Sequence, residues 1–152
     1  MRHRSRAFEA LILSAALIAP ALTAAAASGS AVSITVTGLR SAKGQVLGCL
    51  TTQPRAFPDC AKDPAAHKLV AAIVANTVQL EFGPVAPGRY AISLLHDENG
   101  NGKADMVLFM PKEGFGFSRD APVRFGPPSF NSAAFAVAET SVQLTARMRY
   151  MF

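Results

Sequence analysis

The chain has 152 residues, half of them hydrophobic, with 15 Lys and Arg against 10 Asp and Glu and a formal net charge of +5. Its cations are scattered singly, without the cluster or stripe that follows a phosphate backbone, so no nucleic acid is expected as a partner.

Arg2, Arg4 and Arg6 precede an apolar stretch from Ala10 to Leu22, and Ala25, Ala26 and Ala27 follow it. A positive start, an apolar middle and a small-residue end are the parts of a secretory signal peptide. The stretch falls short of the roughly 20 apolar residues that span a bilayer. Residues 1–27 are therefore expected to be removed. That leaves 28–152 as one exported domain, periplasmic or secreted, with no transmembrane segment. The remaining chain carries 12 Lys and Arg against 9 Asp and Glu. At this length a domain buries about two-thirds of its unfolded surface, enough for a real core.

Val32, Ile34 and Val36 alternate with Ser33, Thr35 and Thr37, the period-two pattern of a half-buried strand. Gln45 to Thr51 predicts a second strand, with Val46, Gly48 and Leu50 on one face and Leu47 and Cys49 on the other. A polar loop with Pro54 and Pro58 runs on to about His67. Cys49 and Cys60 are the only cysteines, and in an oxidising compartment they are expected to pair. A redox pair usually has a Cys-x-x-Cys spacing, absent here. The pair is read as a structural staple.

Lys68 to Ala75 is apolar, short and β-branched, which favours a strand. Val78, Leu80 and Phe82 alternate with Thr77, Gln79 and Glu81. Pro84, Pro87 and Gly88 lead into Arg89 to His96, where Tyr90, Ile92 and Leu94 share a face that His96 closes. Phe135 and Val137 mark a short strand. A long one follows, in which Val142, Leu144, Ala146, Met148 and Tyr150 alternate with polar residues. No amphipathic helix is apparent beyond residue 27. About seven short strands separated by turns predict an all-β fold, an antiparallel β-sandwich.

Two stretches lie outside this pattern. Phe109 to Phe135 is irregular and holds six phenylalanines, at 109, 115, 117, 125, 130 and 135. A segment of that length is functional or is pinned by its own side chains. The rings are then either core packing or an aromatic surface for a ligand or protein partner. His96, Glu113, Phe115 and Phe117 are the residues such a surface would use.

The other stretch is His96 to Asp105, HDENGNGKAD. Calcium takes six to eight oxygens, which a short loop supplies from alternate side chains. With Asp97 at position 1, Asn99 is 3, Asn101 is 5, Gly102 is 6, the Lys103 carbonyl is 7 and Asp105 is 9. This is the first half of an EF-hand-type loop. Position 12 departs from it, with Leu108 in place of the bidentate Glu; Glu98 and Glu113 are the nearest substitutes. Two certain carboxylates put the affinity at about 10⁻⁴ to 10⁻³ M. The same stretch also reads as a plain turn from Arg89–Leu95 to Met106–Met110, because Asn-Gly pairs favour hairpins.

Pro87-Gly88-x-Tyr90-Ala91, HDENGNGKAD and Pro111-Lys112-Glu113-Gly114-Phe115-Gly116-Phe117-Ser118 together resemble a family of small exported bacterial proteins. That family is known only as a domain of unknown function. Pro127-Pro128-Ser129-Phe130 and the terminal strand fit it too. The resemblance implies an exported sandwich of transthyretin-like or immunoglobulin-like kind and implies no activity. The Pro-Gly-x-Tyr turn is also similar to one in transthyretin-like and carboxypeptidase-regulatory-type sandwiches.

Three functions are left open. The first is a non-enzymatic, calcium-stabilised module that binds a protein or small ligand. The second is a structural envelope-associated domain without metal. The third is a hydrolase around His96 and Glu113, with Asp97, Ser118 and Asp120 nearby in sequence. No nucleophile elbow, metalloprotease helix or phosphate loop supports the third.

Overall fold

The protein is described here by a computed structural model, which covers residues 29–152. The expected signal peptide, residues 1–27, lies outside the described residues.

The alternating stretches form the strands. One sheet has the order β10-β1-β4, from β1 (Ser30–Thr37), β4 (Val78–Val85) and β10 (Val142–Arg147). The other has the order β3-β2-β5-β8, from β2 (Gln45–Thr51), β3 (His67–Ala72), β5 (Gly88–Asp97) and β8 (Gly114–Phe117). A short β9 (Phe135–Val137) pairs with Gly88–Tyr90, so β8 and β9 share one edge of β5. The architecture is an all-β sandwich. Most pairs are antiparallel, but β1 and β10 run parallel, with Val32 beside Val142 and Val36 beside Ala146.

Between the sheets, the inward residues of each strand make the main core. Val32, Ile34 and Val36 meet Val46 and Leu50, Leu80 and Phe82, and Ile92 and Leu94. Period-two alternation dictates this packing, because only every second side chain of a strand faces the opposite sheet.

The outer face of the second sheet carries a smaller core. Phe57, Phe115, Phe117 and Phe130 pack there with Ala91 and Ala133. The Phe57 ring lies 5.7 Å from Phe117 and 6.1 Å from Phe130. Cys49, on this face of β2, is bonded to Cys60 and holds the Phe57 loop against it. Thr51 Oγ1 donates to Asp63 Oδ2 at 2.5 Å, a second tie on the same loop.

The Phe109–Phe135 stretch is more regular than its composition predicts. It contains β8, a 3₁₀ turn at Ser118–Asp120, and one short helix, α1 (Phe130–Ala133), capped by the Ser129 hydroxyl. The expectation that the loop turns β5 directly onto Met106–Met110 does not hold. Those residues form a separate hairpin of β6 (Met106–Val107) and β7 (Met110–Pro111), and β8 takes the β5 edge instead. The reason is burial. Phe115 and Phe117 enter the outer core, whereas Met106 to Met110 stay exposed.

The Cys49–Cys60 bridge closes a short loop, for which the chain-entropy estimate is about 3 kcal/mol. Cys49→Ala/Cys60→Ala is expected to lower the urea midpoint accordingly and to raise the m-value, because the unbridged unfolded chain exposes more surface. An unaltered midpoint would contradict the stapling role.

Candidate functional site

The end of β5 builds the site, and strand parity gives its last two residues opposite tasks. His96 turns into the sandwich and is fully buried. Its Nε2 lies 2.9 Å from the Lys43 carbonyl and its Nδ1 lies 2.6 Å from the Tyr150 hydroxyl. A carbonyl only accepts, so Nε2 carries a proton, and in the neutral ring Nδ1 accepts from Tyr150. The Tyr150 hydroxyl in turn accepts from the Arg40 amide at 3.1 Å. His96 therefore joins the β2 entry to the C-terminal segment. Gly114 makes room for this, since a Cβ there would sit 2.3 Å from the Tyr150 ring.

Asp97 turns the other way and is also fully buried. Its Oδ2 accepts from Gln45 Nε2 and from the Gly102 amide, each at 2.8 Å. Its Oδ1 accepts from the Asn101 amide at 3.1 Å. Gln45 is the β2 residue directly opposite Asp97 in the register, which is why it reaches. The chain passes so close that Gly44, at φ +70°, has no space for a side chain. A Cβ there would lie 2.0 Å from the Asp97 carbonyl oxygen.

The loop then folds on itself. Asn99 Oδ1 accepts from the Asn101 amide and Asn101 Oδ1 from the Lys103 amide, both at 3.0 Å. The two side-chain amides converge on Asp105, Asn99 donating to Oδ2 at 2.6 Å and Asn101 to Oδ1 at 3.0 Å. Asp97, Asn99, Asn101 and Asp105 are thus brought together, and Lys103 lies on the same loop with its side chain exposed.

Glu113 clasps the loop from outside. Its carboxylate, almost wholly buried, accepts from the amides of Glu98 at 3.1 Å and Asp105 at 3.2 Å, one at each end of the turn. Glu98 is engaged elsewhere. It is ion-paired to Arg40 and accepts from Ser41 Oγ at 2.9 Å, while the Arg40 guanidinium lies 4.4 Å over the Tyr150 ring. Neither glutamate takes the place of the missing twelfth ligand, and Leu108 at that position points into solvent. Lys43, Glu98, Asn99, Asp105, Lys112 and Glu113 line an open cleft of about 230 Å³ beside the loop.

The electrostatics follow from these contacts. Burial pushes the Asp97 carboxyl upward, but hydrogen bonds from Gln45 and from the Gly102 and Asn101 amides outweigh it and hold the group below its usual value. The Arg40 hydrogen bonds hold Glu98 down against its own burial, and the Glu98 hydrogen bond raises Arg40. Burial raises Tyr150.

The residues expected to serve as a ligand surface are placed differently. Phe115 and Phe117 pack in the outer core, and His96 and Glu113 are buried and hydrogen-bonded as described. Nor are the residues of a hydrolase gathered. Ser118 Oγ accepts from the Ile92 amide at 2.9 Å and donates to the Ala133 carbonyl at 2.6 Å. Asp120 Oδ1 accepts from the Arg147 amide at 2.8 Å. Among the described residues no hydrogen bond joins Ser118 to His96.

Arg40, Ser41, Gln45 and Tyr150 belong to the site and escape a reading by motif, because they come from distant parts of the chain. Only Gln45 leaves a trace, through its place at the start of the strand that pairs with β5.

A family model described as an uncharacterized protein conserved in bacteria (DUF2141) matches residues 34–145, from the first strand to the last. Comparison with curated proteins and with solved structures gives no match.

Because the Asp97 carboxyl is held below its ordinary value, its ionised form stabilises the fold above its unfolded pKa of about 3.9. That stability is lost as pH falls through the lower folded value. Asp97→Asn is expected to cost about 2 kcal/mol near neutral pH and to flatten the acid limb of the stability curve. Equal neutral-pH stability of the two proteins in urea titrations would contradict this role.

Proposed function

We propose, with the chain's membership of the DUF2141 family of bacterial proteins as premise, that this protein is an exported, non-enzymatic β-sandwich module whose Asp97–Asp105 loop is stabilised by calcium and which presents a surface to a partner. The supporting observation is the convergence of Asn99 and Asn101 on Asp105, with Asp97 holding the amides at loop positions 5 and 6.

The donor set suits a hard cation. Asp97 Oδ1, Asn99 Oδ1 and Asn101 Oδ1 each accept one amide in the loop and keep a second lone pair. Asp105 adds a carboxylate and Lys103 a carbonyl, five oxygens in all, which leaves room for water in a six- to eight-oxygen shell. Among the described residues no three His, Cys, Asp or Glu side chains group as a metal centre. The fit therefore depends on amide and carbonyl oxygens, which calcium accepts and softer metals do not. Bound calcium would supply the positive charge that Asp105 otherwise finds in two amide N–H groups. Those bonds compete with the ion, which keeps the affinity in the weak range of extracellular modules.

Export is supported by the Cys49–Cys60 bridge, which belongs to an oxidising compartment. No described helix is long and apolar enough to cross a membrane. A non-enzymatic role is supported by the backbone groups that occupy Ser118 and Glu113 and by the Lys43 carbonyl and Tyr150 hydroxyl that occupy His96.

A second reading, a structural envelope-associated domain whose loop is only a turn, is favoured by one observation. Among the described residues no buried side-chain polar atom lacks a hydrogen bond, so the buried Asp97 carboxylate does not call for an ion. The two readings part on calcium linkage. With a dissociation constant of about 10⁻⁴ M, about 1 mM calcium adds about 1.4 kcal/mol, or about 5 °C in Tm for a domain of this size. We expect that rise over chelator in thermal melts, and its loss in Asp105→Asn. Identical melts of the wild-type protein in both buffers would decide for the plain turn.

A further inference from the structure

The hairpin that follows the loop is apolar on every side. Met106, Val107, Leu108, Phe109 and Met110 are all 37–97% exposed, and β6 and β7 belong to neither sheet of the sandwich. A hairpin lying against its own protein, or against a flat partner, alternates apolar and polar residues so that one face is buried. Here successive residues point to opposite faces and all are apolar. Such an object is satisfied by an apolar medium that surrounds it.

Its tip carries a further sign. Leu108 and Phe109 have φ of +47° and +69°, the left-handed region that Asn and Gly adopt at less cost in a two-residue hairpin turn. Two large apolar side chains are thus held, exposed, at the turn of the hairpin. From Met106 to the turn at Leu108 the chain advances about 7 Å at about 3.3 Å per residue, within the depth of about 5–10 Å to which interfacial segments enter the headgroup and acyl boundary.

Three exposed lysines surround the base of the hairpin. Lys103 precedes it, Lys112 follows it and Lys43 faces the same cleft, all with exposed side chains and none in an ion pair among the described residues. The neighbouring acids keep their charge, but each is engaged within the fold. Glu98 is paired with Arg40, Glu113 clasps backbone amides, Asp97 is buried and Asp105 holds the two asparagine amides. The C-terminus adds to the same end, because Arg40 donates both to the Phe152 carbonyl at 2.6 Å and to the Lys112 carbonyl at 3.4 Å. Met151 and Phe152 are exposed there.

We propose that the Met106–Pro111 hairpin is a membrane-docking wedge, inserting Leu108 and Phe109 into an anionic lipid surface while Lys43, Lys103 and Lys112 meet the headgroups. The cations select the lipid class, since anionic headgroups attract each lysine near the surface and salt screens that attraction. The wedge does not require calcium. It stands on the exposure, charge and geometry of the hairpin.

The test uses the protein as processed and purified after export, its N-terminus read by mass spectrometry and shared by every variant. Flotation is run in chelator with vesicles of equal phosphatidylglycerol and phosphatidylcholine, and with vesicles of phosphatidylcholine alone. Wild type is expected to float with the anionic vesicles and to be released by high salt. Leu108→Ser/Phe109→Ser and Lys43→Gln/Lys112→Gln are each expected to weaken binding about tenfold or more. Both pairs are surface changes, so their melting curves should match wild type. Wild type left unbound, or tip variants that float equally well, would overturn the proposal. So would a dimer in sedimentation without lipid that the tip variants dissolve, which would assign the hairpin to a second copy of the chain. Repeating the flotation in calcium separates the two readings, because binding in chelator stands whether or not the loop takes the ion.

Discussion

One carboxylate, that of Asp97, ties the polar loop to the sandwich. A buried charge without partners is strongly destabilising, and charge-assisted hydrogen bonds are what make it tolerable. Asp97 has three such donors, from two places: Gln45 on the neighbouring strand and the Asn101 and Gly102 amides of the loop. Neither set satisfies it alone. The loop can adopt its turn only where β5 and β2 are paired in this register, and the carboxylate can stay buried only where the loop has folded. Glu113 repeats the arrangement from just before β8, joining both ends of the turn.

This coupling divides the end of the molecule into a fixed part and a projecting part. The loop is held by Gln45 of β2, Asp97 of β5 and Glu113 just before β8. The hairpin after it is joined to the loop by the Lys112 amide donating to the Asp105 carbonyl at 2.9 Å, and beyond that point its apolar residues face outward. A firm base and an exposed tip are what a docking element needs. The base fixes the angle of approach, and the tip carries the apolar surface. Lids and binding segments are commonly drawn from such weakly packed regions.

The sandwich was largely legible because alternation is written locally. Val32, Ile34 and Val36 announce their shared face without reference to any other strand, and His96 follows from parity with Tyr90, Ile92 and Leu94. Asp97 as the first loop residue, and the grouping of Asn99, Asn101 and Asp105, are equally local. Partners that pairing brings from afar were not legible. Arg40 and Tyr150 meet at the loop only because the sheets place them there, more than a hundred residues apart in the chain. The strand Gly114–Phe117 was hidden by its glycines, which lower strand propensity. Its two phenylalanines nevertheless keep a period of two, the signal that could have found it. The hairpin was hidden for a different reason. Met106 to Met110 looks like any buried run, and exposure is a property of the fold rather than of the residues.

Amide hydrogen exchange at Asn101 and Gly102 tests the anchoring most directly. Both residues are exposed, so slow exchange reports hydrogen bonding rather than general burial: the Gly102 amide bonds to Asp97, and the Asn101 amide is shared between Asp97 and Asn99 in the turn that Asp97 anchors. The account predicts marked protection at these two sites in the wild-type protein, and its loss in Asp97→Ala while the β1 and β5 amides stay protected. Exchange at the rate of an unfolded peptide in the wild type would mean that the carboxylate does not hold the loop.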